Sequence, residues 1–120
     1  MYKGANIQHR LIQFASRIVK VCKSLPKDQA SRHIANQILR SGTSPAPNYG
    51  EARAAESKRD FVHKLKIALK ELNETSVWLE IMKECQMADD IVIKALLDES
   101  QQLARILSAS INTARNNMKR

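Results

Sequence analysis

Aromatic residues are scarce: one Trp, two Tyr and two Phe make up 4% of a 120-residue chain. Proteins that hold nucleic acid by stacking bases on exposed rings use more of them, so a sheet-type RNA binder is disfavoured. The only cysteines, Cys22 and Cys85, form no Cys-x-x-Cys pair or other spaced motif and are expected to be reduced core thiols. No apolar run approaches the roughly 18 residues of a membrane span. The amino terminus has no signal-peptide pattern, so the expected location is cytoplasmic, with no membrane partner. There is no glycine-rich phosphate loop. His9, His33 and His63 stand apart, and the Asp60–His63 pair is single. Glu71 is followed three residues on by Glu74, not by the His that a di-metal bundle uses. No nucleophile accompanies a base at a recognisable spacing. No catalytic residue, metal site or cofactor is therefore expected, and an enzyme is the least supported class.

Glycine and proline are also rare, at three each, and two of each fall between Gly42 and Gly50 in the stretch RSGTSPAPNYGEA. Elsewhere apolar residues recur at the 4,3 spacing of one helix face. Ile7, Leu11, Phe14, Ile18, Val21 and Leu25 form the first seam, with Ile12, Ala15, Val19 and Cys22 beside it. Pro26 ends that helix by disfavouring the helical region at Leu25. A second helix is expected from Asp28, with Ala35, Leu39, Gly42, Ala46 and Tyr49 on its apolar face. The spacing runs straight through the proline pair, which favours a kink around residues 42–47 over a swinging linker. A break there, with Ser44 as N-cap and Pro45 at the first position, is also sterically permitted. A third helix opens at Ser57 and carries Phe61, Leu65, Ala68, Leu72, Thr75, Leu79 and Met82, flanked by Trp78, Ile81 and Cys85. A fourth opens at Asp89 and Asp90 and carries Ile93, Leu97, Ser100, Ala104, Leu107, Ile111, Ala114 and Met118, flanked by Val92, Leu96, Leu103 and Ile106. The expectation is one all-α domain over residues 1–120, an antiparallel up-down-up-down four-helix bundle with helices at about 5–25, 28–56, 58–86 and 89–118.

The ordered set Arg40-Ser41, Asn48, Glu51, Phe61 and Glu74-Thr75 carries a resemblance. With the sequence around it, strongest over residues 37–82, the chain resembles the bacterial four-helix-bundle family found in intervening sequences of large-subunit ribosomal RNA genes. Pro45, Pro47, Tyr49 and Gly50 depart from the family's usual helix formers and bear on how straight the second helix is. Members are similar to a ring-forming bundle that assists the reverse transcriptase of diversity-generating retroelements. The resemblance implies a homopentamer and, as one option, a reverse-transcriptase partner; it implies no catalytic residues.

Two constellations remain. Arg40, Ser44, Asn48 and Glu51 share one face of the second helix, and Glu71 and Glu74 lie together on the third. They read as a structural polar network fixing register or a subunit contact, with a solvated edge as the plain alternative. The second constellation is charge. The net charge is +8, from 20 basic and 12 acidic residues. Residues 1–26 contribute +5 of it and contain no acid. The bundle topology gathers Lys3, Arg10, Arg53, Lys58, Arg59, Lys64, Lys66, Arg115, Lys119 and Arg120 at one end, against Glu51, Glu56 and Asp60. Such a pole suits RNA or DNA phosphates bound with little sequence preference. An acidic protein partner, or charge that merely keeps the protein soluble, are the competing readings.

Overall fold

The seam of the first helix is the backbone of the core. Ile7, Leu11, Phe14, Ile18, Val21 and Leu25 are all buried, with Phe14 and Ile18 fully so. The computed structural model describes residues 3–119. They form α1 (Lys3–Ser24), α2 (Gln29–Thr43), α3 (Pro45–Arg53), α4 (Lys58–Glu84) and α5 (Asp90–Met118), with no strand among the described residues. Arg120 lies outside the described residues.

The stretch that interrupts the helical pattern is the junction of α2 and α3, and the chain remains helical across it. Ser44 keeps right-handed helical dihedrals, φ −64° and ψ −37°. Its amide donates to the Arg40 carbonyl at 3.2 Å, and its own carbonyl accepts from the Asn48 amide at 3.2 Å. Pro45 and Pro47 supply no amide to the carbonyls of Ser41 and Thr43. The Ser44 side chain does not cap α3; its hydroxyl accepts from Asn48 Nδ2 at 2.9 Å instead. Thus α2 and α3 act as one rod, and the molecule is a bundle of four rods.

Contacts along these rods set the packing. Between α1 and the α2–α3 rod they run from Cys22 with Ala35, through Ile18 with Gly42 and Gln8 with Ala46, to Gly4 beside Tyr49 and Arg53. Between that rod and α4, Ser41 meets Thr75 at 2.9 Å and Glu51 meets Lys64. Ser100 of α5 donates to the Leu72 carbonyl of α4 at 3.2 Å, and its hydroxyl lies 2.7 Å from that of Ser76. The buried hydroxyls of Ser41, Thr75 and Ser100 are thus all hydrogen-bonded, as burial of a polar group requires.

The termini of the rods use the expected residues. Asp28 caps α2, accepting from the Ser31 amide at 2.9 Å and the Ser31 hydroxyl at 3.0 Å. These bonds hold its carboxyl below the usual carboxylate range. Ser57 caps α4 by accepting from the Asp60 amide, and Asp89 caps α5 by accepting from the Ile91 and Val92 amides. Gln86, with φ 52°, sits in the left-handed region just past α4, where the Met87 amide reaches back to the Met82 carbonyl at 3.0 Å.

The seam of the α2–α3 rod departs from the expectation at Leu39, while Gly42, Ala46 and Tyr49 are buried as expected. Ile38 is fully buried, whereas Leu39 is 37% exposed. Ser41 and Gly42 are both buried, so small residues fill the two candidate stripes and the pattern does not choose between them. Ile12, Cys85, Val92 and Met118, also placed on apolar faces, are exposed as well.

Candidate nucleic-acid interface

The predicted basic pole is assembled by four helix ends. Gly4 and Ile7 of α1, Tyr49 of α3, Lys58 and Phe61 of α4, and Ala114 and Asn117 of α5 line one groove of about 690 Å³. The start of α1, the turn in the fifties and the end of α5 therefore lie together. Lys3 is the first residue of α1. Arg53 is in the last turn of α3, Lys58 and Arg59 in the first turn of α4, Arg115 in the last turn of α5, and Lys119 is its C-cap.

Two members of the predicted set are engaged by acids. Arg10 donates Nη2 to Glu99 at 2.6 Å and Nε at 3.1 Å, and reaches Gln102 at 3.2 Å. The hydrogen bond to Glu99, with that carboxylate's charge, outweighs partial burial and holds the guanidinium still more firmly protonated. Glu99 thus joins the local acids, and Arg10 acts as a strap between α1 and α5. This pairing spans 89 residues of sequence, so no local pattern signals it. Lys64 lies 3.5 Å from Glu51. Among the described residues, Arg53, Lys58, Arg59, Lys66, Arg115 and Lys119 form no ion pair.

Arg59, His63 and Lys66 of α4 share a second, shallower groove of about 220 Å³ with Arg115 of α5. The side chain of Arg53 lies over Gly4 and the Tyr49 hydroxyl, beside the start of α1. Burial pushes the Tyr49 phenol up, with the Arg53 charge opposing.

The helix dipole separates these cations by meaning. A cation at a helix C-terminus is favoured by the dipole, which accounts for Arg53, Arg115 and Lys119 without any ligand. Lys58 and Arg59 stand at the N-terminus of α4, where the dipole is positive and repels them. Their placement works against the stability of their own helix.

The predicted polar network divides into three parts. Arg40 bridges α2 to α4, bonding Glu71 at 2.9 Å and also Glu74. Glu74 accepts as well from Trp78 Nε1 at 3.0 Å, and the Trp78 ring meets His33 edge-on. Ser44 and Asn48 bond each other within the rod, one helical turn apart. Glu51 turns to Lys64. Only Arg40, Glu71 and Glu74 are therefore brought together.

Residues 4–109 match the family described as 23S rRNA-intervening sequence protein. The chain belongs to that family. A crystal structure of a protein of unknown function from the S23 ribosomal protein family of Bacteroides thetaiotaomicron is similar to it. The two are 36% identical with a TM-score of 0.85, over 92% of this chain and 99% of that one. No curated protein sequence matches the chain. In this intervening-sequence protein, Arg40 and Glu74 of the set that carried the resemblance meet in one bridge with Glu71: one guanidinium clamps two carboxylates on a neighbouring rod. No described helix is long and apolar enough to cross a membrane.

Proposed function

We propose that this intervening-sequence protein is a non-enzymatic, self-associating adaptor of the cytoplasm that binds RNA or DNA backbones through the basic end of the bundle. The observation that carries the reading is Lys58 and Arg59 at the N-terminus of α4. Both are exposed, neither has an ion-pair partner among the described residues, and both oppose the helix dipole. Stability alone would select acids there, so a ligand of opposite charge is the economical reason for two cations. Lys66, Arg115 and Lys119 extend the same field across the α4–α5 edge, where a polyanion gains by releasing condensed counterions. A homopentamer with aligned subunits would turn these ends into a positive rim.

The test is a salt-titrated binding assay on generic RNA and DNA. Affinity is expected to fall steeply between about 50 and 200 mM salt with little dependence on sequence. Reversing Lys58, Arg59 and Lys66 to Glu is expected to abolish binding while the circular dichroism spectrum stays helical. Binding by the reversed protein at wild-type strength would sink the assignment. An isolated protein that binds no nucleic acid would favour the scaffold reading, in which it touches nucleic acid only within a complex, such as one with a reverse transcriptase.

A further inference from the structure

The outward side of α4 carries an exposed stripe that steps by 4,3 from one end of the helix to the other. Its first half is Arg59, His63, Lys66 and Lys70. Neutral Asn73 and Val77 follow, the latter 58% exposed. Glu80 and Glu84 then close the stripe, also exposed. The charge thus changes sign along a single helix face. At 1.5 Å per residue the cationic part, from Arg59 to Lys70, is about 16 Å long. Arg115 of α5 lines the groove beside Arg59 and Lys66 and widens the strip sideways.

Among the described residues no large aromatic ring stands on this strip. Phe14 and Tyr49 are buried, Phe61 is half-buried in the wall of the larger groove, and Trp78 is engaged with Glu74 and His33. Single-strand binders interleave cations with rings on which unpaired bases stack. Apart from the His63 ring and the Arg59 and Arg115 guanidinium planes, the strip offers little to an unstacked base, whereas its row of charges matches phosphates on a rigid backbone. A span of about 16 Å reaches across the B-DNA major groove, about 12 Å wide, so it can touch both phosphate rows that border it.

Building on the adaptor reading above, we propose that the first half of this stripe, with Lys70 as its inner limit, is a track for double-stranded nucleic acid. The duplex lies across the bundle, because Glu80 and Glu84 repel a backbone that runs along it.

The test compares a short DNA duplex with its separate strands on the full-length protein, across a salt series. The duplex is expected to bind at least about tenfold more tightly than either strand, since it presents the denser and more rigid array of phosphates and few rings here stack bases. Lys70→Glu is expected to weaken duplex binding about tenfold and make the logarithmic salt slope shallower by about one. The double change Glu80→Lys with Glu84→Lys is expected to steepen that slope by about one to two on a longer duplex, because the track lengthens. All three residues are exposed, so melting temperatures no lower than that of the wild type serve as the folding control. Wild-type binding that Lys70→Glu leaves intact overturns the stripe while leaving the adaptor reading standing. Equal affinity for single strands overturns the choice of duplex, and an unchanged slope in the double Lys variant overturns the crosswise placement. Poly-glutamate that binds as tightly as the duplex replaces nucleic acid by an acidic protein. A wild-type protein that binds neither duplex nor strand removes the adaptor reading itself.

Discussion

At Gly42, α2 approaches α1 too closely for a side chain. A Cβ added there would stand 2.9 Å from both Cγ1 and Cγ2 of Ile18, inside any real carbon contact. Ile18 is fully buried, so its branches have no free volume to move into. Gly42→Ala is therefore expected to destabilise the protein by about 1–3 kcal/mol, although alanine is the better helix former. Urea unfolding monitored by circular dichroism measures this. Ile18→Ala removes both clashing γ carbons, so it should cost less stability in the Gly42→Ala background than in the wild type; a neutral Gly42→Ala would show that the rods are free to separate. Single residues also mark how far the sequence could be read. The α1 seam and the caps Asp28, Ser57 and Asp89 were legible because each depends on neighbours within one or two turns. The choice between Ile38 and Leu39 was not, because both are apolar and each continues onto a small residue, Ser41 or Gly42. Only the packing partner decides between them. Glu99 escaped for a related reason: its link to Arg10 depends on which rods adjoin.

Element by element, α4 carries the conflict between stability and proposed function. Its cap and core are well made: Ser57 accepts from the Asp60 amide, and Leu65, Ala68, Leu72, Thr75, Leu79 and Met82 are fully buried. Its exposed side has the reverse of the charge order that the dipole favours, with cations at the start and Glu80 and Glu84 at the finish. Replacing Lys58 and Arg59 by Glu should therefore raise stability, by about 0.3–1 kcal/mol each at low salt, while removing nucleic-acid binding. Thermal melts at low and high salt measure the first effect, and the gain should shrink as salt screens it. A lower melting temperature in the reversed protein would mean that the two cations support the fold, and the case built on their placement would fail. The α2–α3 rod is a different compromise. Its proline pair removes two backbone bonds, but Ser44 stays helical and Pro45, Ala46 and Tyr49 remain buried. The unbroken apolar spacing through residues 42–49 was the legible sign of that continuity. The use of Ser44 as acceptor for Asn48 in place of a cap was not, because either arrangement satisfies the same hydroxyl.

On the scale of the molecule, the bundle is a rod of 52 × 24 × 23 Å with uncancelled cations at one end. A single rod presents only a handful of cations, so neutralising a long backbone needs several copies. The surface leaves room for association. The groove of about 690 Å³ between α1 and α5 is lined by Ile7, Phe61, Ile106, Ala109 and Ala114, and Ile12 on α1 is 51% exposed. Apolar surface of this kind is a usual mark of a contact between subunits. The groove opens at the cationic end, so copies joined there would hold their basic ends side by side. Light scattering is expected to give about five times the 13.6 kDa of one chain, as the family resemblance implies. Ala109→Glu places a charge in the groove on an exposed α5 position and should lower that mass while leaving the helical spectrum intact. The two readouts are linked if the ring is the binding form: a variant reduced to single chains should also bind long duplexes with a much shallower salt slope, since fewer phosphates are neutralised per particle. An assembly that survives Ala109→Glu would place the subunit contact elsewhere on the rod. A single-chain variant that binds with the wild-type slope would show that each bundle acts alone.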